Sequence, residues 1–137
     1  MAGPRRHARE AALQVLYFWE VGREDPDVAL RSYFDEHRPE ATESMRAFAE
    51  ALVRGTVTEV EAIDRLIVQH SAHWRIERLA VIDRLILRIA IWELLHHPET
   101  PAAVVLNEAM ELARTFSAED SVRFVNGVLD AIRKDLP

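Results

Sequence analysis

The chain has 137 residues, 49% hydrophobic and 29% charged, the size and balance of one ordinary globular domain with a real core. It contains no cysteine, which excludes a disulfide scaffold, thiolate metal sites, thiol catalysis and iron–sulfur clusters. The formal net charge of −6 excludes a molecule that is basic all over.

Apolar residues recur at helical spacing from end to end. The first helix is predicted over residues 4–21, with Pro4 at a first helical position and Gly22 just past the end. Ala8, Ala11, Ala12, Val15, Leu16, Phe18 and Trp19 share one arc and read as core. Arg6, Arg9, Glu10, Leu13, Gln14 and Tyr17 lie opposite. Leu13 and Tyr17 need a neighbour other than water there, a ligand, a second subunit or both, so a homodimer stays open. Arg5, Arg6 and Arg9 put +3 in residues 1–9; set against the total of −6, that leaves −9 on the other 128 residues. A basic end on an acidic body suits a polyanion contact, or is only the solvated start of a helix.

Asp25-Pro26 is an N-cap followed by a first-turn proline and opens a second helix to residue 37. Pro39 opens a third helical region through residue 69, which Gly55 bends or divides. His73-Trp74-Arg75 is expected in a connection. A fourth helix over residues 78–96 is apolar on most sides and therefore central. Thr100-Pro101 repeats the cap-then-proline signal and starts a fifth helix ending near residue 116. Ser117-Ala118-Glu119-Asp120 matches a capping box and opens a last helix to about residue 136. Val122, Val125, Leu129 and Ile132 line one face of it, and Phe124 sits off that seam. The expected fold class is all-α: a compact helical bundle of about six or seven helices with short connections, one domain over residues 1–137. No apolar run approaches the roughly 18 residues of a membrane span; Arg88 and Glu93 interrupt the one over residues 85–95. The amphipathic start loosely resembles a transit peptide, but Glu10 and Glu20 argue for mature structure.

The residues offer little to catalysis. Glycine occurs only at positions 3, 22, 55 and 127, too sparsely for a phosphate-cradling loop. His70 and His73 have the i, i+3 spacing that would put them on one face if the helix reached that far, but further zinc ligands are lacking nearby, and they read as an exposed helix end. His96 and His97 read as partners of the helix's C-terminal carbonyls. Glu108 and Glu111 have helical spacing, but a carboxylate metal site needs matching Glu and Glu-x-x-His sets on several helices and the chain has a single Glu-x-x-His, at Glu93–His96, so such a site is not expected. The expectation is a protein that binds and is not an enzyme, with no cofactor and no metal.

Three segments read together are far more specific: residues 5–19 (RRHAREAALQVLYFW), residues 83–94 (DRLILRIAIWEL), and residues 105–116 with 118–130 (VLNEAMELARTF and AEDSVRFVNGVLD). In this order, across nearly the whole chain, they resemble the NusB family of bacterial transcription antitermination factors. The resemblance implies two small helical halves and a cytoplasmic protein. It implies binding of single-stranded boxA RNA in ribosomal RNA leaders, together with the ribosomal protein NusE. It implies action on the RNA polymerase elongation complex, with other Nus factors, so that the polymerase resists termination.

Elementary chemistry agrees. Single-stranded RNA is bound by cations that track phosphates and by planar groups on which bases stack, and arginine serves both. Arg5, Arg6 and Arg9 stand where a helix N-terminus adds its own positive end. Tyr17, Arg123 and Phe124 complete the candidate RNA face with Asp120. Phe124 is a stacking face or ordinary core; Asp120 reads a base edge, caps its helix, or does both. Asp83 and Arg84 match positions the family uses for NusE; the plainer reading of Asp83 is a surface acid that keeps its helix soluble. The basic start is thin, since the chain has one lysine, Lys134. RNA affinity is therefore expected to lean on the partner, and His7 to make it somewhat pH-sensitive. Two rivals remain: a helical protein–protein interaction module without RNA binding, and the RNA-binding module of a ribosomal RNA methyltransferase. The second needs a following catalytic domain, for which 137 residues leave no room.

Overall fold

The computed structural model describes residues 3–72 and 75–137; the expected connection at His73 and Trp74, and with it the His70–His73 pairing, lies outside them. The described residues form α1 (Pro4–Glu20), α2 (Pro26–His37), α3 (Glu43–Thr58), α4 (Val60–His70), a 3-10 turn (Ile76–Arg78), α5 (Val81–His96), α6 (Ala102–Phe116) and α7 (Glu119–Asp135). No strand occurs among them. They fall into two compact units, Met1–Thr58 and Glu59–Pro137.

In the first unit α1 packs on both α3 and α2. Ala8, Ala11 and Ala12 are fully buried, and their small side chains let the neighbouring helices approach closely. Contact with two helices widens the buried arc beyond one face. This corrects the reading of Leu13, which is 1% exposed and belongs to the core. Phe18 is corrected in the opposite sense. The buried residues of α1 end at Leu16, and Phe18, one position past Tyr17, is 49% exposed. Asp25 caps α2 as its sequence suggests, its carboxylate accepting from the backbone N–H groups of Asp27 and Val28. Gly22 answers a steric need: a Cβ there would stand 2.7 Å from the Phe18 carbonyl oxygen. The left-handed residue of this turn is Arg23, at φ 55°.

The third helical region divides at Glu59 rather than at Gly55, which stays inside α3. In the second unit α5 packs on α4, α6 and α7, and every residue from Leu85 to Trp92 on it is buried. That includes Arg88, whose Nε and Nη2 each donate to Asp64 of α4 at 2.8 Å. A fork on a carboxylate is the geometry that makes a buried guanidinium tolerable. Two cap signals shift. The residue before α6 is Pro101, not Thr100, and that before α7 is Ala118, and neither helix has a side-chain cap.

Candidate functional site

The basic end of the first unit begins with α1. Its first turn carries no acid and its N-cap, Gly3, no side-chain bond, so nothing in that turn offsets the helix's positive end. Arg5 is exposed and Arg6 half-buried. The Arg5 guanidinium lies 4.4 Å from the centroid of the Phe48 ring on α3, and that of Arg9 lies 5.4 Å from the same centroid. Arg9 is only 5% exposed. The three arginines therefore divide. Arg9 is built into the unit, its charge resting on an aromatic face, while Arg5 and Arg6 present surface. His7 is held too: Arg38 Nη2 donates to its Nδ1 at 2.9 Å, since a guanidinium can only donate. At the other end of α1, Tyr17 and Phe18 are both exposed and meet edge to face at 6.5 Å.

The second unit holds a cleft of 440 Å³ lined by Arg78, Leu79, Ala80, Asp83, Asp120, Ser121 and Phe124. Three of the candidate residues, Asp83, Asp120 and Phe124, thus share one cavity. α7 forms one wall. Asp120 and Phe124 are four residues apart on it, so they lie on one side of the helix, one turn apart. The 3-10 turn, its extended link and the first turn of α5 form the other wall.

The carboxylates of the cleft differ. Asp83 is 7% exposed; its Oδ1 accepts from Ser117 Oγ at 2.7 Å and its Oδ2 from Ser121 Oγ at 2.8 Å. The surface-acid reading of Asp83 is therefore corrected: both oxygens are engaged, and the side chain ties the start of α5 to the start of α7. The same bonds explain why Ser117 does not cap α7; its hydroxyl is turned to Asp83. Asp120 does not cap either. It is exposed in the first turn of α7, with no side-chain hydrogen bond or ion pair among the described residues. Phe124 is half-buried, neither core nor fully open. Arg123, beside it, is exposed. Arg84 donates from Nη1 to the Ile76 carbonyl at 3.1 Å and so pins the 3-10 turn to α5.

Arg78 was not singled out by sequence. It reads there as the first residue of a helix; in the structure it ends the 3-10 turn and faces the cleft. The signal was present as an arginine just ahead of Leu79-Ala80, where an apolar helix is about to begin. His96 and His97, expected at the C-terminal carbonyls of their helix, pair with acids. His96 Nε2 meets Glu59 Oε1 at 2.8 Å and His97 Nδ1 meets Glu99 Oε1 at 2.8 Å. His70, expected at an exposed helix end, is largely enclosed. Its Nδ1 lies 2.8 Å from the Leu66 carbonyl and its Nε2 2.7 Å from Asp135 of α7. Among the described residues no group of three or more His, Asp or Glu is placed to hold a metal ion, and no helix is long and apolar enough to cross a membrane.

These features define a class: all-helical proteins of two small helical units, with arginines at the first helix and an aromatic cleft at the last. The chain belongs to the NusB family, whose model matches residues 6–134. It is 44% identical to the transcription antitermination protein NusB of Solibacter usitatus, covering 97% of this chain and 90% of that one. It is also 44% identical to the NusB protein of Bacillus cereus strain B4264, covering 96% and 98%. Among solved structures it superposes on T. maritima NusB with a TM-score of 0.90 at 36% identity, over 98% of this chain and 94% of the other. A crystal structure of antitermination factors NusB and NusE in complex with dsRNA matches with a TM-score of 0.89 at 30% identity, over 99% and 100%.

Proposed function

We infer that this protein is a transcription antitermination factor. It binds boxA RNA of ribosomal RNA leader transcripts together with the ribosomal protein NusE, and modifies elongating RNA polymerase, with other Nus factors, to resist termination. The observation that carries the reading is the full-length match to NusB proteins, including one solved with NusE and RNA. The protein acts in the cytoplasm, as one RNA-binding domain over residues 1–137, by binding rather than by catalysis.

Arg5 and Arg123, both exposed, and the half-buried Arg6 supply cations to the phosphates. Tyr17 and Phe124 supply aromatic faces to unstacked bases, and Asp120 an acceptor to a base edge. Arg9 supports the basic end from beneath through Phe48. Asp83 and Arg84 serve the NusE face by fixing the start of α5 and the turn before it, through the bonds to Ser117, Ser121 and Ile76.

The test is a titration of labelled boxA RNA against scrambled RNA of equal length, with and without NusE. Preferential binding of boxA, tightened by NusE, is expected. Equal affinity for both RNAs with NusE present would overturn the reading. Retention of NusE without either RNA would favour the protein–protein module instead.

A further inference from the structure

Arg38, the C-cap residue of α2, stands against the first turn of α1, where Arg5 and Arg6 present surface. Its backbone is fixed from α3: the Arg46 guanidinium lies over the Phe34 ring and donates to the carbonyls of Arg38, Pro39 and Ala41. The Arg38 side chain is half-buried, and its partner among the described residues is His7 Nδ1, at 2.9 Å. The same nitrogen lies 3.5 Å from Glu10 Oε1, one turn further along α1. These two neighbours make opposite demands on one atom. A guanidinium only donates, so the bond from Arg38 exists only while Nδ1 carries no proton. An ionised carboxylate only accepts, so Glu10 binds Nδ1 only when the proton is there.

We propose that Arg38 is a further phosphate contact of the basic end, and that protonation of His7 releases it to the RNA. The proposal rests on the RNA-binding reading above. While Nδ1 is bare, Arg38 is held by His7, and the phosphates are left to Arg5, Arg6 and Arg123. A proton on Nδ1 removes the acceptor, sets two cations 2.9 Å apart, and offers Glu10 a charged donor. His7 turns to Glu10, and the Arg38 guanidinium moves out beside Arg5 and Arg6 to meet a phosphate. An imidazole changes charge between about pH 5 and 8, so the released form belongs to the acid side of that window. Binding and protonation then favour each other, and RNA affinity rises as the pH falls. The other charged groups around His7 undergo no such change. Arg46 is committed to backbone carbonyls, Arg5 and Arg9 lie over Phe48 of α3, and arginine does not titrate. His37, in the last turn of α2, is exposed, with its ring 5.2 Å from that of Tyr33.

The experiment titrates labelled boxA RNA against the full chain, with NusE saturating, at about pH 8 and about pH 6 and at several salt concentrations. In the native protein the acid condition is expected to tighten binding about fivefold. It should also raise the magnitude of the salt slope by about 0.7, the signature of one added phosphate contact. His7→Gln places an amide oxygen where it accepts from Arg38 at either pH, and should show neither change. Arg38→Ala should lose both as well. His37→Gln should keep both, which separates His7 from the one other histidine in residues 1–58. His7 and Arg38 are only half-buried, and unchanged helical circular dichroism would show that the variants fold. If the native protein gains nothing at the lower pH, or if His7→Gln or Arg38→Ala keeps the whole gain, the proposal is overturned and the antitermination reading stands. Failure of boxA RNA to bind at either pH would remove both.

Discussion

Arg9 illustrates how an arginine in a basic run can serve packing. It is 5% exposed and its guanidinium lies over the Phe48 ring, itself 8% exposed. A desolvated cation over an aromatic face is worth about 2 kcal/mol, and the aliphatic stem adds buried area. Arg5 leans on the same ring from the exposed side. Arg9→Ala is therefore expected to lower stability by about 2 kcal/mol in urea unfolding, and Arg5→Ala by a few tenths. RNA affinity should respond in the opposite order, with Arg5→Ala the more damaging at a temperature where both variants are folded. An Arg9→Ala variant of undiminished stability but lost affinity would return Arg9 to the RNA face. Sequence puts both arginines at the start of the first helix; it could not rank them, because Phe48 lies on another helix 39 residues from Arg9.

At the scale of elements, helix existence was legible and helix boundaries were less so. The stripe of α5, the cap of α2 by Asp25 and the seam of α7 all follow from local spacing. The break at Glu59 does not. Gly55 looked like the weak point, yet a glycine costs an α-helix only about 1 kcal/mol, which packing of α3 on α1 readily offsets. The tie between α4 and α7 was also invisible, because it joins His70 to Asp135, 65 positions away. There the hydrogen bond that His70 donates to Asp135, and then the one it donates to the Leu66 carbonyl, raise its pKa above the ordinary value of 6.5. Both ring nitrogens face acceptors, so both bonds are made in full only by the imidazolium. The group is protonated more readily folded than unfolded. Its contribution is thus complete below about pH 6.5 and is lost as the pH rises through the raised folded value. The melting temperature should fall between pH 6 and pH 8.5 by more in the native protein than in His70→Phe. Parallel pH profiles for the two would show that the tie stabilises nothing.

For the whole molecule the governing quantity is a net charge of −6 on a protein that must hold a polyanion. General attraction is unavailable, so contact depends on a few local cations. Arg5, Arg6 and Arg123 are the cations assigned to phosphates, and Arg9 is enclosed. Three contacts at about −0.7 each give a slope near −2 for log K against log salt, as expected for a single strand. A protein basic all over would show a much steeper dependence. At a physiological Debye length of about 8 Å the acidic body is largely screened from the RNA while direct phosphate contacts are not. The slope should therefore hold from roughly 0.1 to 0.3 M salt, and Arg5→Ala should reduce its magnitude by about 0.7. Anisotropy titrations of boxA RNA at four salt concentrations, with NusE held saturating, measure both numbers. A flat salt dependence would remove the arginines from the phosphates. A slope beyond about −4 would mean that the partner's cations, rather than those of α1, carry the backbone contact.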